Sequence, residues 1–172
     1  MADIPCLDDL QLLPYIDSQG CLPPDLEGKI GVYGIFDREQ LLCYVGISRD
    51  VATSLKQHLV RVPDRCYWCK VWTTDQFDRD RLTEIQTRWR ADLVVDRQLW
   101  EQPIDCQQLM TDKERADFNQ AEDEIEKARI LKNTARRVEQ EIKAKLTDRG
   151  VSFEIRFHPK RKEEGLLDLK LW

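Results

Sequence analysis

No part of this chain runs apolar and uncharged for the roughly 18 residues that a membrane-crossing helix needs, so no such helix is expected. An excess of basic charge is also missing. Lys and Arg number 27 against 32 Asp and Glu, for a net charge of -5. A strong global field for non-specific nucleic-acid binding is thereby excluded, and any such contact must come from a local patch. Histidine occurs only at positions 58 and 158, far apart in sequence, which leaves no His-rich metal site to consider. The start, Met-Ala-Asp-Ile-Pro, has neither a basic segment nor an apolar one, so no secretory signal is expected and the expected location is cytoplasmic. Reduced thiols are then the expectation for the six cysteines. Only one C-x-x-C occurs, Cys66 and Cys69, inside a strand-like stretch whose positions i and i+3 face opposite ways. It reads as two buried or half-buried thiols, not as a metal or redox pair.

What is present is a chain 41% hydrophobic and 34% charged, long enough to bury a core. Its acidity lies in residues 1–27, which hold six acids and no Lys or Arg. Pro5, Pro14, Pro23 and Pro24 make that part an irregular arm, with Leu10–Tyr15 apolar enough to pack on a core. Residues 30–37 and 41–48 are β-branched and aromatic runs joined by a short polar turn, a predicted hairpin. Ser48 or Asp50 caps a helix with Val51, Leu55, Leu59 and Val62 on one face. A strand follows over 66–73, then a helix with Leu82, Ile85, Trp89 and Leu93 as its stripe. The order β-β-α-β-α predicts an α+β domain with a three-stranded, mainly antiparallel sheet over residues 28–110. After Pro103, a helix is predicted from Asp112 to Arg149, followed by two alternating strands, 151–157 and 167–172, that pair as a hairpin. Residues 111–172 thus form a C-terminal extension.

Gly31-Val32-Tyr33 on the first strand and Tyr44-Val45-Gly46 on the second, followed by those elements, resemble the paired motif of the GIY-YIG nuclease family. The stretch from Gly28 to about Trp89 is similar to a branch of photosynthetic lineages that includes a GIY-YIG domain fused to a chloroplast monothiol glutaredoxin. The resemblance implies Mg²⁺-dependent hydrolysis of phosphodiesters in DNA. It implies roles for Tyr33 as the group that orients or deprotonates water, and for Tyr44 and Gly46 at the phosphate. His58 takes a first-helix position, and Glu84 that of the metal-binding carboxylate; one carboxylate with several waters suits Mg²⁺. Arg49, Lys56 and Arg61 are candidate nucleic-acid contacts.

The sequence departs from the family at Ser54, where an arginine is expected. Losing a transition-state donor of that kind costs about a hundred- to a thousandfold. Arg49 and Arg61 are candidate substitutes. The bland readings stand beside these: the tyrosines as cross-strand packing, His58 as a packing or surface residue, and Glu84 as an i,i+4 partner of Arg88. A degenerate domain used for nucleic-acid binding or protein assembly is the alternative function. The apolar stripe and opposed charge halves of the 112–149 helix predict a protein contact, with antiparallel self-association as one form.

Overall fold

The computed structural model describes residues 3–171. Alternation along the two motif segments produces the expected hairpin. β2 (Ile30–Phe36) and β3 (Leu42–Ser48) pair antiparallel, with Tyr33 opposite Gly46. The turn between them is tied by Asp37, whose Oδ1 accepts from the amides of Glu39 and Leu41, both at 2.9 Å. β4 (Trp68–Thr74) lies on the other edge of β2, and β1 (Leu13–Pro14) adds to β4. The sheet therefore has four strands, in the order β1-β4-β2-β3, and not three. The extra strand comes from the arm, where Leu13 aligns with Cys69 and the amide of Tyr15 bonds the Tyr67 carbonyl at 3.0 Å.

Because side chains alternate across a strand, the hairpin divides its residues between two cores. Tyr33, Ile35 and Tyr44 join the core under α1 (Val51–Arg61). Val32 and Val45 join Leu82, Ile85 and Trp89 of α2 (Arg79–Arg90) on the opposite face. Each helix starts where an aspartate is placed to cap it: Asp50 accepts from the amide of Thr53 and Asp78 from that of Arg81. Two short elements follow, α3 (Arg97–Glu101), capped by Asp96, and β5 (Ile104–Asp105).

The C-terminal extension departs from expectation in three ways. The predicted 112–149 helix is two helices, α4 (Asp112–Gln120) and α5 (Glu124–Asp148). Asp123 breaks the run because its side chain accepts from the amide of Glu126 at 2.7 Å and starts a new helix. Among the described residues, which exclude 172, the predicted hairpin of 151–157 with 167–172 is reduced to one antiparallel bridge, Phe157 with Leu169. Pro159 opens α6 (Pro159–Glu163) between them, and β6 (Leu166–Leu167) pairs with β5 instead. Lastly, Thr134, Ala135, Val138, Ile142 and Leu146 of α5 are buried within this one chain, in the case of the apolar four against the α1-side core. Of the stripe expected to meet another chain, Ile125 remains 85% exposed. Among the described residues no helix is long and apolar enough to cross a membrane.

Candidate functional site

Gly46 is where the two tyrosines are brought together. A Cβ there would lie 2.5 Å from Tyr33 Cζ and 2.8 Å from Tyr44 Cε1, so only glycine lets the Tyr33 ring lie flat across β3. The Tyr33 hydroxyl then reaches His58 Nε2 of α1 at 2.8 Å. His58 also packs on Tyr44, with ring centroids 4.7 Å apart. Tyr33, Tyr44, Gly46 and His58 therefore converge.

This cluster is covered. Trp100 of α3 stacks on Tyr44, centroids 5.2 Å apart and planes 15° from parallel, and meets the His58 ring edge-on. Tyr33 is 2% exposed, Tyr44 and His58 are 4% exposed and Trp100 is 1% exposed. The titrating groups respond to that burial. The phenols of Tyr33 and Tyr44 are pushed well up, chiefly by desolvation. His58 is pushed down to about 3 by desolvation and then by the neighbouring Arg61 charge. The imidazole is thus neutral. The Trp100 carbonyl acts in the opposite direction, upward, but less than burial does. Nδ1 itself is buried and makes no hydrogen bond.

The carboxylate at the tyrosines is Glu101, not Glu84. The Tyr44 hydroxyl donates to Glu101 Oε1 at 2.9 Å, and Arg97 Nε donates to Glu101 Oε2 at 2.8 Å. Glu84 is exposed on α2, whose packing face meets the opposite side of the sheet. Its helical position, three residues from Thr87 and one from Ile85, cannot turn it toward Tyr33. Sequence reasoning missed Glu101 and Trp100 because they sit on a five-residue helix with too few turns to show a period. The available signal was Asp96 as a cap before Arg97-Gln-Leu-Trp-Glu.

Of the candidate cations, Arg61 alone belongs here. It is the last residue of α1; its Nη1 donates to the Trp100 carbonyl at 3.1 Å and its Nη2 lies 3.8 Å from Asp168 Oδ1. Its charge acts on Tyr33 and His58, lowering both. Arg49 instead lies over the Phe77 ring at 3.7 Å, and Lys56 over Phe153 at 5.2 Å, beside a cavity of about 630 Å³ that Lys29 also lines. Ser54, where the arginine was expected, bonds Ser48 Oγ at 2.7 Å.

Glu84, the expected magnesium ligand, is not brought to the tyrosines. Both oxygens of Glu101 are engaged, Glu84 is on the other side of the sheet, and no group of three or more His, Cys, Asp or Glu among the described residues could hold a metal. Cys66 and Cys69 are both buried free thiols, with Cys66 at the end of a 3₁₀ turn and Cys69 in β4. Burial pushes the Cys69 thiol up to about 12 and Cys66 further still, so neither forms a thiolate at neutral pH.

Compared with profiles of known protein families, the chain matches none. It is 32% identical over 83 residues to the bifunctional monothiol glutaredoxin-S16, chloroplastic, of Arabidopsis thaliana, an alignment covering 48% of this chain. The chain spans 27% of that relative's length.

Proposed function

We propose that the chain carries a GIY-YIG-type phosphodiesterase site, acting on DNA, in which Tyr33 and His58 form the proton relay and Arg61 replaces the cation missing at Ser54. The observation that carries this reading is the 2.8 Å contact between Tyr33 Oη and His58 Nε2 inside the core. A buried pair of polar rings with one nitrogen unpartnered costs stability that an apolar pair would not. Retaining it is what a reacting site requires. The water gives its proton to Tyr33 Oη as the Tyr33 proton passes to His58 Nε2. The water oxygen bonds to phosphorus, and the bond from phosphorus to the leaving sugar oxygen breaks. That oxygen takes a proton from solvent, His58 returns the proton it accepted to solvent, directly or back through Tyr33, and Arg61 offsets the charge on the phosphate. No step is routed through a metal.

The test is nicking of supercoiled plasmid by the whole chain, with and without Mg²⁺, compared with Tyr33→Phe and Arg61→Ala. Loss of nicking in both variants is the expected result. Nicking that survives Tyr33→Phe rejects the relay.

A second reading, a silent domain that binds nucleic acid or protein without cutting, is favoured by the 2–4% exposure of Tyr33, Tyr44 and His58 and by the Ser48–Ser54 bond in place of an arginine. A salt-sensitive shift of DNA mobility, with no cleavage from any variant, would select its nucleic-acid form.

A further inference from the structure

We propose that residues 97–106 are a lid that closes the tyrosine–histidine cluster, and that Arg61 is its latch. The inference concerns regulation of the site just described, and it rests on that reading for its biological meaning.

The lid is α3, β5 and the turn at Cys106. It is bounded by two largely exposed connectors, in which only Leu93 and Val95 pack on the cores. On one side, residues 91–96 contain Val94, 93% exposed, and Ala91 at φ +43°, a left-handed backbone that a Cβ-bearing residue adopts at some cost. On the other, Gln107, Gln108 and Leu109 are all exposed. Between these connectors the lid is held at few points. Trp100 and Cys106 are buried, Glu101 accepts from Tyr44, and β5 pairs with β6 over two residues. The amide of Cys106 bonds the Gly165 carbonyl at 2.8 Å. The sheet under the cluster is held differently, by seven-residue strands paired along nearly their whole length. Local opening therefore starts at the lid.

Arg61 links the lid to the catalytic cluster. Its guanidinium meets the Trp100 carbonyl on the lid and Asp168 just beyond β6, the strand that pairs with the lid. Asp168 is also shared with Arg161 at 3.8 Å. Swinging the lid away removes the Trp100 ring from Tyr44 and His58, withdraws Glu101 from the Tyr44 hydroxyl, and frees one side of the Arg61 guanidinium. One movement thus wets the relay and releases the cation that a phosphate would take. In the closed form neither relay group is a useful base, since burial depresses His58 and raises Tyr33; readmitting water reverses both.

His58 reactivity reads the lid directly. Diethyl pyrocarbonate acylates neutral imidazole, and peptide mass spectrometry separates His58 from partly exposed His158, which serves as the internal standard. In the wild-type chain, His58 should react at least tenfold more slowly than His158. Asp168→Asn should speed it several-fold and Trp100→Ala at least tenfold, each with an unchanged circular dichroism spectrum. Should Trp100→Ala unfold the chain, hydrogen exchange of the wild type decides. Amides of 97–106 should exchange at least tenfold faster than those of β2 and β3. Wild-type His58 as reactive as His158, a folded Trp100→Ala with His58 still protected, or lid amides as slow as those of β2 would each overturn the lid. Plasmid nicking by the same variants is scored separately. A reactive His58 without cleavage keeps the lid and rejects the phosphodiesterase reading.

Discussion

Removing the Tyr33 hydroxyl (Tyr33→Phe) takes away the one hydrogen bond His58 makes in the core. Its Nδ1 is already unpartnered, so the substitution leaves both nitrogens of a 4%-exposed imidazole without partners. A buried polar group left unsatisfied costs about 1–3 kcal/mol, whereas replacing both partners with apolar groups of similar shape is close to neutral. Tyr33→Phe should therefore lower stability by about 2 kcal/mol, or roughly 4–8 °C in Tm for a chain of this size. His58→Leu should cost about 1 kcal/mol, by taking one partner from the Tyr33 hydroxyl, which keeps its contact with Ser54. The double variant Tyr33→Phe/His58→Leu should lose only about 1 kcal/mol, a coupling of about 2 kcal/mol. Urea unfolding reads all three; the midpoint should move while the slope stays constant. Strict additivity of the two single losses would refute the reasoning, because it would mean that the 2.8 Å contact carries no energy.

The same imidazole sets a pH dependence. Its folded pKa, about 3, lies below the ordinary value of 6.5, so the unfolded chain binds the proton first. Its stability contribution is whole above pH 6.5 and is lost as pH falls toward 3, at up to about 1.4 kcal/mol per unit. Urea midpoints at pH 7 and pH 5 should differ in the wild type and converge in His58→Leu; parallel curves would contradict this. Glu114 titrates in a lower window: the Arg137 guanidinium holds it down at about 2, against 4.5 normally, so its contribution is present above 4.5 and fades only below. Glu114→Ala removes both its capping-box contact with Thr111 and the ion pair to Arg137, which is 31% exposed, and should cost about 1 kcal/mol with faster amide exchange confined to α4. Gly46→Ala forces the Tyr33 ring off β3 and should destabilise by about 1–3 kcal/mol; an unchanged Tm would mean that the sheet yields more easily than the packing implies.

The hairpin and its two helices were legible because their periods are long and their caps are aspartates in sequence, Asp50 and Asp78. Tyr33, Tyr44, Gly46 and His58 were legible because the two strands and α1 that carry them are. Glu84 shows the limit of the same method. Helical spacing identifies it as exposed, but which side of a sheet a helix covers is a tertiary fact that periodicity does not carry. Trp100, Glu101 and Asp168 were out of reach for a related reason, since each acts from a short element whose place is set by pairing over about 60 residues, β5 with β6. The break at Asp123 was readable: an aspartate three residues before Glu126 is a start signal, and it outweighed a stripe that continued on both sides.

The position of Arg61 bears on how a site can function without the arginine expected at Ser54. The two residues are seven apart on α1, about 10 Å along its axis. Ser54, one turn into the helix, stands near the positive end of the helix dipole, where a cation is disfavoured; Arg61, as the last residue, stands at the negative end, where one is favoured. Side chains on a helix lean toward its N-terminus, so Arg61 leans back over the turn that carries His58. Its charge already lowers both Tyr33 and His58 from there. That position is also the one from which a guanidinium meets the lid and the Asp168 carboxylate at once. A cation at Ser54 would have no such partners and would stay committed to the cluster whether the lid were open or shut. Moving the charge to the far end of α1 therefore ties the availability of the cation to the position of the lid.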